Sequence, residues 1–168
     1  MNKNIKYYAI IVFVGIIAWQ QTLGFWFFRG YEATWLTGVA PYTIINLIKN
    51  HGFLYFLDYK IFGWNPWGWY ATSLLFHISA SLLAFYFIFL LSKNKLLAFV
   101  ASLFFVVNTS YNDVLIWGSF NSYYPLLLSL MLLTFISYIK FRETKKYLFL
   151  FMSLLFCFLG FFVRETGI

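Results

Sequence analysis

A chain of 168 residues that is 62% hydrophobic, 26% aromatic and only 10% charged, with a mean hydropathy of +0.78, cannot hide its apolar surface in an interior of its own. That excludes an ordinary soluble domain and makes the lipid bilayer the solvent for most of it. The net charge of +7 sits in short basic clusters between apolar runs, which is how membrane topology is encoded and argues against a nucleic-acid partner.

The apolar runs are continuous rather than alternating, so the spans are helices and not barrel strands. The first reads from about Tyr7 to Phe28. Lys3 and Lys6 precede it, and no small-residue cleavage site closes it, so it is an uncleaved span rather than a signal peptide. Gln20 and Gln21 interrupt its far end and are expected to face other helices. From Arg29 to about Trp67 the chain is apolar but broken by Gly38, Pro41 and His51-Gly52. Two short stripes result, Ile44 to Ile48 and Phe53 to Phe62. Each is too short to span and suits a helix lying in the interface. Asp58 and Lys60 are the charges of the second stripe and read as its solvated face. Gly63-Trp64-Asn65-Pro66-Trp67-Gly68-Trp69 is a turn with three tryptophans, as at a membrane interface.

The second span reads from Tyr70 to Leu91. Ser73, His77 and Ser81 recur every four residues on one face, which is expected to hydrogen-bond to a neighbouring helix. The third runs from Leu96 to Val107 and stops at Asn108-Thr109-Ser110-Tyr111-Asn112-Asp113. The fourth runs from about Ser119 to Ile139 with Pro125 in its first turns. The loop Lys140 to Lys146 is the most basic. The fifth covers Tyr147 to Val163, before Arg164-Glu165-Thr166-Gly167-Ile168. Cys157 lies inside that last run and reads as a small core residue with no disulfide partner. The fold expected is thus all-α and polytopic, a single transmembrane domain over residues 1–168. It has about five transmembrane helices plus one or two interfacial helices in the first outer loop.

Alternating these spans places eight basic residues on one side and four on the other. The richer side is cytoplasmic by the positive-inside rule, which puts the amino terminus inside. Glu32, Asp58, Asp113 and Glu165 then gather on the outer face, leaving only Glu143 within. Three outer polar segments follow the odd-numbered spans: Arg29/Glu32, Asn112/Asp113 and Arg164/Glu165. A carboxylate there can act as a general base, bind a metal or pair with an arginine. An arginine beside it suits a phosphate or diphosphate. The bland alternative is a set of helix-end charges paired with one another.

The stretch Gly63-Trp64-Asn65-Pro66-Trp67-Gly68-Trp69-Tyr70 with His77, the run Phe104-Phe105-Val106-Val107-Asn108 through Asp113 and Trp117, and Phe161-Phe162-Val163-Arg164-Glu165 occur in an order that resembles the GT-C membrane glycosyltransferases. The likeness is greatest to the tetratricopeptide-repeat transmembrane O-mannosyltransferases and their bacterial relatives. The chain differs from that pattern in its single Glu32, in Asn108-Thr109 where histidine-proline is usual, and in Arg164 where lysine is usual. The resemblance implies the amino-terminal portion of a longer GT-C-like domain in a bacterial plasma membrane. It implies a sugar donor carried on polyprenyl phosphate and an inverting transfer at the outer face. Glu32 would be the catalytic base, with Arg29, Asp113, Arg164 and Glu165 binding substrate. It leaves room for a divalent metal, although one carboxylate per segment supplies no dense ligand set. The competing expectation is a non-enzymatic polytopic protein, a transporter or an assembly partner. Charges at span ends rather than at mid-membrane argue against a transporter.

Overall fold

The computed structural model of the chain describes residues 5–24, 53–108 and 123–163. Every element among them is helical. Helix α1 is Ile5–Trp19 and tightens into a 3-10 turn at Gln20–Gly24. Helix α2 is Phe53–Phe62, α3 Pro66–Ser92, α4 Lys95–Val107, α5 Tyr123–Thr144 and α6 Tyr147–Val163.

Local chemistry sets the boundaries. Helix α3 starts four residues before the expected Tyr70, because Asn65 caps it and Pro66 fills its first position. The Asn65 side chain accepts from the Trp67 N–H at 3.2 Å, and proline has no amide hydrogen to lose there. The preceding turn needs Gly63 at φ +56, and its carbonyl accepts the Trp69 indole N–H at 3.1 Å. Asn94 caps α4 by accepting from the Leu96 and Leu97 amides at 3.0 and 3.1 Å. Helix α5 runs past the expected Ile139 into the basic segment. Lysine, arginine and glutamate are good helix formers, and Lys140 pairs with Glu143 one turn on at 3.2 Å. The connections α3–α4 and α5–α6 therefore shrink to Lys93-Asn94 and Lys145-Lys146. Lys93 and Lys145 each take a left-handed backbone, at φ 55 and φ 56, a conformation that costs a non-glycine residue roughly 1–2 kcal/mol.

Helix α3 is the centre of the assembly, in contact with α1, α2, α4 and α5, while α6 packs chiefly on α5. Ile11, Phe85 and Ala98 form one buried cluster between α1, α3 and α4. Tyr7 and Tyr8 flank it, with ring centroids 5.0 Å from Phe99 and 5.1 Å from Phe85 respectively. Leu90, Leu132 and Ile136 form another between α3 and α5. Close approach depends on small residues. A Cβ on Gly15 would lie 3.0 Å from Val106 Cγ2 and 3.1 Å from Ile78 Cγ1. Ala98, Ser102 and Val106, four residues apart on α4, are fully buried, as at a membrane helix interface.

The distribution of polarity is the reverse of a soluble protein's. Ser73, His77, Ser81, Ser102, Ser129 and Ser153 are buried, whereas Phe13, Leu75, Phe104, Leu148 and Leu154 are more than 60% exposed. Hydroxyls inside and large apolar side chains outside fit a surrounding solvent of lipid. Three helices are long and apolar enough to cross a membrane: Ile5–Gly24, Pro66–Ser92 and Tyr124–Thr144.

Candidate functional site

Two polar arrangements lie in the half of the bundle at which α3 begins. The first is built on the carbonyl of Val106. Val106 is the penultimate residue of α4, and a carbonyl in the last turn of a helix has no partner within that helix. The Trp19 indole N–H of α1 donates to it at 2.6 Å, and His77 Nε2 of α3 lies 3.2 Å from it. Because the acceptor is a carbonyl, Nε2 carries the proton. Trp19 stands edge-on to the His77 ring at 6.0 Å, and Phe105 covers it at 5.3 Å. One orphan carbonyl thus locks three helices together.

The expected polar face of α3 is buried as predicted, but its bonds differ. Ser81 Oγ donates to the His77 carbonyl of its own helix at 2.8 Å. Only His77 of the three reaches across to another described helix by a hydrogen bond. Ser73 Oγ is buried with no hydrogen-bond partner among the described residues. Trp19 was not expected in this cluster. Gln20 and Gln21, which were expected to face other helices, are exposed. The 3-10 winding turns Thr22 inward in their place, beside Trp19 at the end of α1, with Thr22 Oγ1 donating to the Trp19 carbonyl at 2.7 Å.

The second arrangement corrects the reading of Asp58. Its side chain is not on a solvated face but only 4% exposed, turned against the first turns of α3. Thr72 Oγ1 lies 3.1 Å from Asp58 Oδ1 and 3.1 Å from the Gly68 carbonyl. Asp58 Oδ2 is buried with no hydrogen-bond partner among the described residues. Burial pushes the Asp58 carboxyl up to about 6, while the Thr72 hydroxyl acts in the opposite sense. A hydroxyl has one proton and cannot donate to both neighbours at once. Its single proton therefore serves the Asp58 carboxylate or the Gly68 carbonyl, one at a time. The contact is close because Gly68 has no side chain; a Cβ there would fall within the Phe62 ring.

Glu32, Arg29, Asp113, Arg164 and Glu165 lie outside the described residues. The helices that lead to them are described, and they finish toward the same end of the bundle. Trp19 packs on Leu74 and Val106, while Tyr7 packs on Phe85 and Phe99, so α1 runs antiparallel to α3. The two-residue turns return α4 along α3 and α6 along α5. Lys93 and Glu143 pair at 3.3 Å, which sets both turns at one end. Gly24, Asn108, Tyr123 and Val163 are therefore all toward the other end. Among the described residues no three His, Cys, Asp or Glu side chains gather in a metal-binding group. Cys157, expected in a core, is exposed, because α6 has α5 as its main described neighbour.

No family model, no curated protein and no solved structure matches the chain.

Proposed function

We propose that the protein is a GT-C-like membrane glycosyltransferase that takes its sugar from a polyprenyl-phosphate donor. The observation that supports this best is the shared end of the bundle. The helices preceding Arg29/Glu32, Asn112/Asp113 and Arg164/Glu165 all finish toward it, which is the common membrane face that this reading needs. The buried Trp19–Val106–His77 junction beneath them is a rigid floor of the kind a positioned site needs. In this reading the chain has five spans. Helices α4 and α6 complete the crossings of α3 and α5, and α2 lies along the outer interface with the segment before it. The amino terminus is cytoplasmic.

In this mechanism Glu32 removes the proton from the acceptor hydroxyl as it attacks the anomeric carbon from the face opposite the phosphate, which inverts the configuration. Arg29 or Arg164 stabilises the charge that develops on the leaving phosphate. Asp113 and Glu165 hold the acceptor. Glu32→Gln keeps the shape and removes the base, so transfer from a polyprenyl-phosphate sugar should fall on the order of 100-fold or more. Arg164→Lys should weaken donor binding, because lysine lacks the bidentate fork. Full activity in Glu32→Gln would remove the mechanism and leave the assembly-protein reading in front.

A further inference from the structure

The end of the bundle opposite the proposed active site carries a different chemistry. Both of its turns are built alike: a lysine in left-handed conformation closes each helix, its amide donating to the carbonyl four residues back, at 2.9 Å for Lys93 and 2.7 Å for Lys145. Glycine or asparagine relieves that strain, so a lysine in both places calls for another reason. Glu143 binds the turns side by side, 3.3 Å from Lys93 and 3.2 Å from Lys140. It is the only acid at this end among the described residues and balances one of the cations around it. Arg142, Lys145 and Lys146 are exposed and have no ion pair among the described residues. Directly below them is an apolar collar, with Leu91, Leu96, Tyr147 and Leu148 each more than 60% exposed.

From this juxtaposition we infer that the paired turns bind the phosphodiester headgroups of anionic phospholipids, with Arg142, Lys145 and Lys146 as the ligating cations. Anionic charge is what a surplus of unpaired cations attracts. The collar fixes the source as lipid: a phosphate held by Lys145 and Lys146 has its acyl chains beside the exposed Tyr147 and Leu148 that follow them, where a soluble phosphate has nothing to put. Arginine supplies a two-pronged contact to phosphate, and the two lysines supply mobile point charges. The inference stands whether or not the protein transfers sugars.

The test uses the full chain in nanodiscs of phosphatidylcholine, with and without a minor fraction of phosphatidylglycerol. Thermal midpoint and lipid retention by native mass spectrometry are read together. Phosphatidylglycerol should raise the midpoint and remain bound, and R142A/K146A should weaken its retention by about tenfold or more. Lys145→Gly separates binding from folding. It relieves the left-handed strain, so it should raise the midpoint in pure phosphatidylcholine while reducing the response to phosphatidylglycerol. Lys60→Ala, at the other end, should leave that response unchanged. Equal midpoints and equal retention in the two lipids would overturn the inference. So would undiminished retention in R142A/K146A. Inorganic phosphate reproducing the shift in phosphatidylcholine discs would make this a soluble-anion site and defeat the lipid assignment.

Discussion

At the scale of single residues, the Val106 carbonyl has two lone pairs and two donors, from Trp19 and His77. Removing either donor leaves the other in place; removing both strands a buried acceptor. Trp19→Phe and His77→Phe should therefore be non-additive. The double variant should lose on the order of 1 kcal/mol more stability than the two singles combined, read by denaturant unfolding in detergent. Simple additivity would mean that the two donors do not share an acceptor. Asp58 gives a pH prediction whose sign is fixed by its raised pKa. Between about 4 and 6 the folded protein holds a proton that the unfolded chain has released. Stability from this group is thus greatest in acid and declines across that window. Asp58→Asn keeps an oxygen that accepts from Thr72 and has no charge to bury. It should flatten the profile between those pH values and be more stable than the parent at pH above 6. A parent profile that is already flat would show that Asp58 is not buried in solution.

At the scale of elements, continuous apolar runs and basic breaks were enough to place α4 and α6 to within a residue, since lipid-facing helices announce themselves by composition alone. Boundaries set by specific side-chain bonds were harder to read. Asn65 and Pro66 extend α3 backward, and the Lys140–Glu143 pair carries α5 beyond Ile139. The burial of Asp58 was illegible because it depends on a tertiary contact between α2 and α3, and no spacing within either helix encodes it. The burial of Ser73, His77 and Ser81 was legible from their period, while the part played by Trp19, across 87 positions from Val106, was not. The five residues expected to form the site lie outside the described residues, so it is the scaffold leading to them that the structure adds. Gly68 is the element-scale test. Alanine there favours the α3 helix but drives a Cβ into Phe62. Gly68→Ala should loosen α2 from α3, at a cost of about 1–3 kcal/mol in that contact. Faster proteolysis between Phe62 and Pro66, with α3 to α6 still protected, is the expected outcome. Unchanged cleavage would mean that Phe62 turns aside freely.

At the scale of the molecule, the two ends of the bundle differ in charge. One holds Lys6, Lys93, Lys95, Lys140, Arg142, Lys145 and Lys146 around a single acid among the described residues. Among the described residues the other holds only Asp58 and Lys60. Such asymmetry orients a membrane protein, because lysine and arginine near span ends are retained on the cytoplasmic side. The proposed site needs the less basic end outside, where a polyprenyl-linked sugar meets its acceptor, so orientation and function stand or fall together. With Cys157 replaced by alanine, single cysteines at Lys60 and Lys145 report the two ends. An impermeant maleimide added to intact cells should modify Lys60→Cys and reach Lys145→Cys only after the membrane is opened. Lys145→Cys removes one of eight basic residues on its side, which is too small a change to reverse the bias. Labelling of Lys145→Cys alone in intact cells would turn the molecule over. Glu32, Asp113 and Glu165 would then lie in the cytoplasm, where the donor's phosphate does not present its sugar in this mechanism, and the transferase proposal would fall with the topology.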